Sequence, residues 1–508
     1  MTFDYIIVGG GTAGCVLANR LSARAGNKVL LIEAGEDTPP GRVPPEILDS
    51  FAGMAYLNER FLWNDLRVTT EPHSPDRPDK PRLRKYEQAR VLGGGSSING
   101  QFANRGAPSD YDEWASLGVA GWNWENVLPY FRKLERDCDF DGPLHGQSGP
   151  IAISRIHKEL WPEHAKAFAR ALDQAGYAYV EDQNAEFVDG YYPVAISNVY
   201  DRRVSTSIGY LTSTVRQRSN LYILTNTQVS ALIMEGRRCV GVRAVKGDGQ
   251  EVEYRGGEII VSSGAIYSPA HLLRAGIGPA ADLKAMGIEV VANLPGVGKR
   301  LMDHPAIAIA SFVLPHARIN GLTRRHLMLG IRMSSGMPGI PRGDMAVSIS
   351  TKSAWHAVGE QLSTVNIWVN KTYSDRGEVQ LASPDWRVQP RVHFNLLSDH
   401  RDIERLKQAF HQMAAIVLSP IMKKVSTDPF PASYSDKVRQ VAAITPKNRF
   451  LTSLMARMLD GPAFWRRMLI RRFILEGEPL ETLLADDKAL EAFVRRAAVG
   501  VWHASCSC

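Results

Sequence analysis

The stretch DYIIVGGGTAGCVLANRL, Asp4–Leu21, decides the fold. It opens with the apolar run Tyr5–Val8, which predicts a buried strand, and continues into a helix whose apolar residues recur every three to four positions. Between them Gly9, Gly11 and Gly14 fill a G-x-G-x-x-G pattern. The first glycine permits a tight turn, the second lets the backbone approach a pyrophosphate, and the third lets helix and strand pack closely. The stretch therefore predicts a dinucleotide site at the N-terminus of a helix.

A second apolar strand supports this prediction. The segment KVLLIEAG, Lys28–Gly35, contains Glu33, which lies about 20 residues beyond the glycines, where the ribose-binding acid of such a site is expected. Because the residue is acidic, the adenosine ribose should carry no phosphate, which favours FAD or NAD over NADP. The alternative is a glycine-rich turn in an unrelated α/β protein.

Composition and charge narrow the class of protein. The 508 residues are 44% hydrophobic and 22% charged, enough for a large core and two or three domains. The formal charge of +7 is spread among 53 acidic residues without a long basic block, so nucleic acid is not an expected partner. Five irregularly spaced cysteines argue for a reducing compartment. No signal peptide or long apolar segment is visible, so the sequence predicts a cytoplasmic protein without a membrane span.

A second glycine-rich segment distinguishes between the dinucleotides. The segment ARVLGGGSSINGQFANRG, Ala89–Gly106, could lie against a flat ligand and donate backbone hydrogen bonds, or it could be a flexible surface loop. A plain NAD-dependent dehydrogenase does not require it. Together with SSGAIYSPAHLLRAGIG at Ser262–Gly278 and LPGVGKRLMDHP at Leu294–Pro305, it resembles the glucose-methanol-choline (GMC) oxidoreductase family, which binds FAD.

The resemblance implies a fold and its boundaries. The expected fold class is α/β, with a Rossmann-type FAD-binding domain and a discontinuous α+β substrate-binding domain built on a mainly antiparallel sheet. The FAD-binding domain would comprise residues 1–155, 222–315 and 490–508, and the substrate-binding domain residues 156–221 and 316–489.

The resemblance also assigns residues to the cofactor and the substrate. The residues expected at the FAD are Gly9, Gly11, Thr12, Ala13, Gly14, Glu33, Ala34, Arg90, Leu92, Gly94, Ser97, Asn99, Gly100, Val229 and Trp502. The residues expected at the substrate are Ile98, Gly100, Trp368 and Trp502. His271 stands where the family usually has an aliphatic residue, and we interpret it as a packing or surface residue. No metal ligands are expected.

The chemistry of alcohol oxidation requires a base. A hydride leaves the alcohol carbon for the flavin while a proton leaves the hydroxyl group, and histidine suits this second task because its pKa lies near neutral pH. The family places such a histidine on a late loop, in the pattern that VWHAS reproduces here, so His503 is the predicted catalytic base. The alternative is a polar residue near a frayed terminus.

The last residues depart from the family pattern. Cys506 stands where glycine is usual, and if that position has a positive φ, the cysteine adds strain on the order of 1 kcal/mol. In relatives, further residues follow and supply a second catalytic residue. We expect the sequence to be truncated, and we expect the chain as given to hold its flavin weakly and turn over slowly.

Three functions remain open at this stage. Segments such as RGAPSDYDEW and GVWHAS resemble family members that oxidise small aryl or furanic primary alcohols, of the hydroxymethylfurfural type, with O₂ as acceptor and H₂O₂ as product. A choline-type or other alcohol dehydrogenase with a quinone acceptor is the second possibility, and a catalytically impaired flavin-binding protein is the third. The basic amphipathic segment Met455–Gly477 could cover a core, form a subunit contact or lie on a membrane surface. The oligomeric state is left open.

Overall fold

Two large β-sheets organise the chain. The computed structural model describes residues 2–71, 83–319, 321 and 323–508. Within these residues, a mixed sheet contains the first strand of the chain, and a separate antiparallel sheet is built from later segments.

The mixed sheet begins with the predicted strand and is mainly parallel. Its strands, in spatial order, are Leu221–Leu224, Val29–Ile32, Thr2–Val8, Glu251–Val261, Arg238–Lys246 and Thr227–Glu235. The first four run parallel, so their carboxyl ends lie at one edge. Val29–Ile32 is buried along its whole length, as expected for a parallel strand covered on both faces. Ligands bind at this type of edge in open α/β sheets.

The antiparallel sheet supports the second half of the molecule. Its strands, in spatial order, are Ser426–Ala432, Pro305–Val313, Leu362–Val369, Met345–Ser350, Leu327–Met333 and Gly190–Pro193, and Val499–Gly500 pairs with Pro305–Val313. Buried Ile309 and Ile367 belong to the same hydrophobic cluster as Phe410 and Phe493, which lie on helices. Burial of each such side chain stabilises the fold by about 1.5–3 kcal/mol.

Shorter strands connect these two sheets. A small sheet consists of Lys299–Leu301, Gly377–Gln380, Arg391–His393, Arg67–Thr69 and Leu83–Lys85. Paired short strands are Ile277–Gly278 with Ala292–Asn293, Glu135–Asp137 with Ile151–Ile153, and Asn198–Val199 with Arg202–Arg203.

Helices surround the sheets. The α-helices are Thr12–Ser22, Pro45–Leu48, Gly53–Tyr56, Gly95–Ile98, Pro108–Ser116, Trp124–Leu134, Glu163–Gln174, Thr206–Tyr210, Ser213–Arg216, Gly264–Arg274, Ala280–Ala285, Ala357–Glu360, His400–Val417, Asp436–Ala442, Pro446–Leu459, Ala463–Leu469, Leu480–Ala485 and Asp487–Ala497. A π-helical turn, Ile470–Ile474, follows Ala463–Leu469. Throughout the described ranges, every helix is too short or too polar to cross a membrane.

The last helix delivers the C-terminal loop. Helix Asp487–Ala497 begins at Asp486, whose side chain accepts hydrogen bonds from the next backbone amides, and it buries Leu490, Phe493 and Val494 at helical spacing. It leads directly into Val499–Gly500, which pairs with the antiparallel sheet. The residues that follow are therefore fixed at both the helix and the sheet. Replacing Leu490 by Asp would place a charge in this core and detach the loop.

The predicted fold class is confirmed. The α/β sheet with its glycine turn and the mainly antiparallel second sheet are both present. The domain boundaries stay a prediction; strand Pro305–Val313, which falls in the segment 222–315, is part of the antiparallel sheet. The amphipathic segment Met455–Gly477 is not one helix, because Gly461 and Pro462 interrupt it and the first helix already begins at Pro446.

Candidate active site

A cleft of about 580 Å³ opens at the carboxyl edge of the mixed sheet. It is bounded by the first glycine turn, the end of strand Val29–Ile32, the start of helix Gly264–Arg274 and the segment 386–390. An elongated cleft in this place is the expected location of a dinucleotide.

The first glycine turn has the geometry that its sequence predicts. A Cβ at Gly14 would lie 2.0 Å from the Gly9 carbonyl oxygen, so helix and strand can pack only with a glycine there. Helix Thr12–Ser22 has no side-chain cap, and Thr12 and Ala13 are exposed towards the cleft. Its first amide groups are thus available to an anion such as a pyrophosphate.

Glu33 is held as a buried acceptor beside this turn. Its Oε2 accepts a hydrogen bond from the Gly10 amide at 2.9 Å, and its Oε1 accepts one from the Gly35 amide at 2.8 Å. Burial raises the pKa of Glu33 to about 7, although both hydrogen bonds act in the opposite direction. The fixed carboxylate lines the cleft and suits a ribose with two free hydroxyl groups.

The second glycine-rich segment docks on the first. The Gly93 amide donates to the Gly10 carbonyl oxygen at 2.7 Å. Gly94 has a φ of +53°, and a Cβ there would lie 2.6 Å from the Gly11 Cα. Only a glycine fits this approach, so the two sequence motifs form one surface.

The structure brings together about half of the predicted cofactor residues at the cleft. Those that line it are Gly9, Gly11, Thr12, Ala13, Glu33, Ala34, Gly94 and Val229. The other predicted residues are not among those that line it: Gly14, Arg90, Leu92, Ser97, Asn99, Gly100 and Trp502. Some of them stabilise the second glycine-rich segment; for example, the buried Ser97 hydroxyl donates to the Leu92 carbonyl oxygen at 2.9 Å.

Asn99 and Arg90 are fixed by specific contacts. The Asn99 Oδ1 accepts from the Gln101 amide at 3.0 Å and from an Arg203 guanidinium nitrogen at 2.8 Å. The Arg90 guanidinium lies 4.9 Å from the centre of the Trp63 ring, and Trp63 lines the cleft. The free helix terminus, the buried acid and the glycine surface together fit FAD.

His271 occupies a place that the sequence does not indicate. It lines the cleft, and its Nδ1 is buried without a hydrogen-bond partner among the described residues. Burial lowers its pKa to about 4, so the imidazole is neutral. Arg274, one turn later, also lines the cleft. The packing or surface role expected from the sequence stays a prediction, and the unpartnered nitrogen offers a contact to a ligand as the alternative.

The C-terminal loop is held by one buried carboxylate, Asp303. Its Oδ1 accepts from the backbone amides of His304 at 2.8 Å and His503 at 3.1 Å. Its Oδ2 accepts from the Trp502 amide at 3.1 Å and from the Tyr86 hydroxyl at 2.7 Å. Burial raises the pKa of Asp303, against the stabilising effect of these donors. Asp303 therefore fixes the two backbone amides that lead into the predicted base.

His503 faces a second histidine. Its ring centre is 5.3 Å from that of His304, and the rings are nearly perpendicular. The His304 Nδ1 lies 2.9 Å from the Val369 carbonyl oxygen, so this nitrogen carries a proton and donates it in a hydrogen bond. The His503 ring is open to solvent on one side. Desolvation of the rest of the ring, followed by the effect of His304, lowers its pKa to about 4. His503 is thus a neutral imidazole that can accept a proton.

Trp502 forms the wall behind His503. It has a φ of +63°, and its indole nitrogen donates to the Glu87 carboxylate at 3.0 Å. The Tyr434 ring packs against it at 5.4 Å between centroids. Glu87 also lies 3.4 Å from Arg439, so its charge is compensated.

The remaining predicted substrate residues divide into two groups. Trp368 lies 6.4 Å from Phe102 between ring centres, and a Cβ at Gly100 would contact the Phe102 ring at 3.3 Å, so these three residues are neighbours. Ile98 is 5% exposed and packs in a cluster with Phe61. Its position is that of a core residue.

The final residues are tied to two other segments. Ser505 and Met302 exchange backbone hydrogen bonds at 3.0 and 3.1 Å. The Ser507 hydroxyl donates to the Ala265 carbonyl oxygen, on the helix whose first residue lines the cleft. Cys506 has a φ of +68°, the positive value that the glycine of the family pattern would favour. The loop that contains His503 is therefore attached beside the cleft.

A separate group of buried charged residues lies away from this loop. The possible ligand atoms of Glu135, Asp137 and His145 all lie within 4.8 Å of one another. His145 also contacts Asp182 at 2.6 Å, and Arg155 pairs with Asp137 at 2.8 Å. Burial alone would lower the pKa of His145, but its bonds to the three carboxylates outweigh this effect and raise the pKa to about 11. The group is an ion cluster with an imidazolium at its centre.

Sequence reasoning missed Asp303, His304 and Glu87. Asp303 and His304 stand in LMDHP, one of the segments that indicated the family, so a signal was present without an assigned role. Glu87 belongs to no pattern that predicts a contact across the chain.

The fold and the dinucleotide cleft are those of a flavin-dependent oxidoreductase. Family models described as GMC oxidoreductase match residues 3–306 and 373–508. The chain belongs to the GMC oxidoreductase family, and its cofactor is FAD.

Individual relatives agree with this assignment. The chain is 40% identical to 5-(hydroxymethyl)furfural oxidase of Methylovorus sp. (strain MP688), over 99% of this chain and 87% of the relative. It is 31% identical to oxygen-dependent choline dehydrogenase of Vibrio vulnificus (strain YJ016), over 83% and 77%. The solved structure of pyridoxine 4-oxidase from Mesorbium loti is similar with a TM-score of 0.79 and 25% identity, covering 100% of this chain and 88% of that one.

Proposed function

We propose that this enzyme oxidises a small aryl or furanic primary alcohol to the aldehyde, with His503 as the base and O₂ as the electron acceptor. The observation that carries the proposal is the neutral imidazole of His503, fixed by Asp303 beside the cleft. The likeness to 5-(hydroxymethyl)furfural oxidase supports the substrate class.

The protein's own groups have separate tasks in this reaction. FAD, when bound, supplies at its N5 the acceptor for the hydride that leaves the alcohol carbon. The amide groups at Thr12 and the Glu33 carboxylate would hold its pyrophosphate and ribose. His503 accepts the hydroxyl proton, and the alcohol becomes an aldehyde after losing one proton and one hydride. Two electrons and two protons then convert O₂ to H₂O₂.

His304 has a positioning task at the same place. Its Nδ1 donates a hydrogen bond to the Val369 carbonyl oxygen, which fixes the ring that faces His503. A fixed ring at this place limits the positions that a substrate hydroxyl group can take beside the His503 imidazole. Trp502, which precedes His503 and packs against the Tyr434 ring, offers an aromatic surface that suits a flat ring as substrate.

A choline-type dehydrogenase with a quinone acceptor is the second candidate, since choline dehydrogenases are among the relatives. Two observations weigh against choline as the substrate. The Glu87 carboxylate at Trp502 is paired with Arg439, and Asp303 is engaged by backbone amides. Neither presents a free negative charge to a quaternary ammonium group.

The proposal is tested by anaerobic reduction. Hydroxymethylfurfural or benzyl alcohol should bleach the bound flavin, and air should restore the colour with one H₂O₂ per aldehyde. His503→Ala should slow the bleaching by about a hundredfold to ten-thousandfold, the usual contribution of a general base. His316→Ala, an exposed histidine on a different segment, is the matched control and should leave the rate unchanged.

Other outcomes assign other functions. Bleaching by choline but not by the aromatic alcohols would favour the second candidate, as would turnover with a quinone but not with O₂. Unchanged turnover in His503→Ala would refute the base assignment. If no alcohol bleaches the flavin, flavin binding without turnover becomes the better description.

A further inference from the structure

The helices of residues 446–474 have apolar residues on two opposite faces. On the inner face, Leu459, Leu469 and Ile470 are buried in a cluster with Phe312 and Phe430 of the antiparallel sheet. This face accounts for the amphipathic pattern of a helix that covers a core. The outer face of such a helix is normally polar.

Here the outer face is aromatic and apolar. Large side chains that are at least 40% exposed in this segment are Phe450, Leu451, Leu454, Met458, Phe464, Trp465, Met468 and Phe473. Phe464 is 70% exposed and Trp465 is 52% exposed, although both lie next to well-packed residues. Scattered exposed apolar residues are ordinary, but a group of this density marks a surface that meets another partner.

The same surface is strongly basic. The exposed basic residues between 446 and 474 are Lys447, Arg449, Arg457, Arg467, Arg471 and Arg472. The acidic residue in this range is Asp460, and its carboxylate is engaged by Arg318 and by Gln361 at 2.8 Å. The net charge of this surface is therefore positive.

Arginine and apolar side chains meet in one open depression. Phe464, Arg467, Met468, Arg471 and Arg472 line a depression of about 550 Å³. Arg467 has one distant carboxylate, Asp428 at 4.0 Å, and no ion pair joins Arg471 or Arg472 to another described residue. Guanidinium groups beside a phenyl ring suit a phosphate that is attached to an apolar chain.

We propose that this 446–474 surface docks the enzyme on a bilayer that contains anionic phospholipid. Phe464, Trp465 and Phe473 enter the interfacial region, and the arginines contact lipid phosphates. A second copy of this chain is a poorer occupant, because a twofold contact brings the basic surface against itself. The charge pattern thus selects an anionic partner, and the exposed aromatic rings select a lipid interface.

Docking through the 446–474 surface would place the wall behind His503 close to the lipid. Helix Asp436–Ala442 contacts helix Pro446–Leu459, and just before it Tyr434 packs against Trp502. Arg439 on the same helix pairs with Glu87, which binds Trp502. The docking surface and the wall behind His503 are thus joined by one short segment.

The test is flotation of the purified, flavin-loaded protein with vesicles. Vesicles of equimolar phosphatidylglycerol and phosphatidylcholine should retain the protein, vesicles of phosphatidylcholine alone should not, and salt should weaken the binding. The double variant Phe464→Ser with Trp465→Ser, and the triple variant Arg467→Glu with Arg471→Glu and Arg472→Glu, should each weaken binding at least about tenfold.

Matched controls distinguish binding through this surface from nonspecific binding to vesicles. Trp122→Ser removes a tryptophan that is 50% exposed elsewhere, and Arg237→Glu reverses an exposed charge in a turn; neither should affect binding. In the parent protein, anionic vesicles should shift the Trp465 emission to shorter wavelength. The contribution of Trp465 is the difference between the parent protein and the conservative variant Trp465→Phe. This measurement does not depend on whether the more drastic variants fold.

Three results would overturn the proposal. The first is absence of binding to anionic vesicles, and the second is equal binding by the surface variants and the parent. The third is a concentration-dependent dimer that Phe464→Ser abolishes while vesicle binding is absent, which would assign the surface to a second copy of the chain.

Discussion

The imidazole rings of His304 and His503 face each other at 5.3 Å between centroids, although the residues are far apart in the chain. The carboxylate of Asp303 links them, since the backbone amides of both histidines donate to its Oδ1. A single buried acid therefore sets the spacing of two rings at the site. The position of His503 therefore depends more on its hydrogen bond to Asp303 than on the terminal loop alone.

Asp303→Asn should reduce activity without removing a group that touches the substrate. An asparagine offers one acceptor oxygen, and its amide group would face donors that now bind the carboxylate. Loss of hydrogen bonds to a charged group costs about 2 kcal/mol, which corresponds to about a thirtyfold fall in kcat/KM. Steady-state kinetics of the flavin-loaded variant measures this fall, and we expect it in kcat more than in KM.

Tyr86→Phe is the graded control for this variant. It removes one donor to Asp303 and leaves the three backbone amides in place. Its effect should be several times smaller. Equal activity of the Asp303→Asn variant and the parent would show that the carboxylate does not position the loop.

The pH profile of kcat/KM should report the lowered pKa of His503. Partial desolvation of the ring, followed by the effect of His304, lowers this pKa to about 4, so the imidazole stays neutral and able to accept a proton well below the ordinary value for histidine. Activity should therefore hold as the pH falls below 6.5 and decline only near about pH 4. An acid limb centred near 6.5, with the flavin still bound, would contradict this environment for His503.

The affinity for FAD should depend on the protonation of Glu33. The carboxylate form accepts hydrogen bonds from ribose hydroxyl groups, and burial raises its pKa to about 7 in the cofactor-free protein. Lowering the pH through this value protonates the acid, so the dissociation constant for FAD should rise by up to about tenfold per pH unit. Flavin fluorescence titration measures it. Glu33→Gln should bind more weakly and show no such dependence in this range.

His271→Leu tests whether the unpartnered imidazole binds the cofactor. His271 lines the cleft and its buried Nδ1 has no partner among the described residues, so if FAD supplies that partner, loss of the hydrogen bond should weaken FAD binding about fivefold, or by about 1 kcal/mol. His316→Leu serves as the exposed control. If His271→Leu binds FAD as tightly as the parent or more tightly, the packing role predicted from the sequence is the correct one.

Cys506→Gly should stabilise the terminal loop. Cys506 has a φ of +68°, which costs a non-glycine residue about 1 kcal/mol. Urea denaturation should show a rise in the free energy of unfolding of up to that amount. Cys508→Gly, at a position without a positive φ, should give no increase; an equal gain at both positions would remove backbone strain as the explanation.

Local sequence patterns were sufficient to predict the cofactor-binding half of the site. The turn from Gly9 to Gly14, the following helix and Glu33 depend on residues close together in the chain, so spacing alone indicates their geometry. The role of His503 needed the family resemblance, because thirteen histidines in the chain offer no local distinction.

The contacts that sequence could not supply join distant segments. Asp303 binds the amide of His503 across 200 positions, and Glu87 binds Trp502 across 415. No periodicity encodes such pairs, since they result from the packing of the small sheet and the last helix together. For a related reason, the sequence left a core, a subunit contact and a membrane surface open for Met455–Gly477: an amphipathic pattern predicts one buried face and does not report what the opposite face contacts.

The buried ion cluster around His145 lies across the boundary that the sequence places at residue 155. Arg155 pairs at 2.8 Å with Asp137, which precedes this boundary, and at 3.1 Å with Asp182, which follows it. All three side chains are inaccessible to water or nearly so. A hinge at this point would have to separate compensated charges inside the protein, which is far more costly than bending an exposed linker. Any opening motion that admits the cofactor or substrate must therefore have its hinge at another point where the chain passes between the predicted domains. Residues 135–182 would then move as one rigid piece.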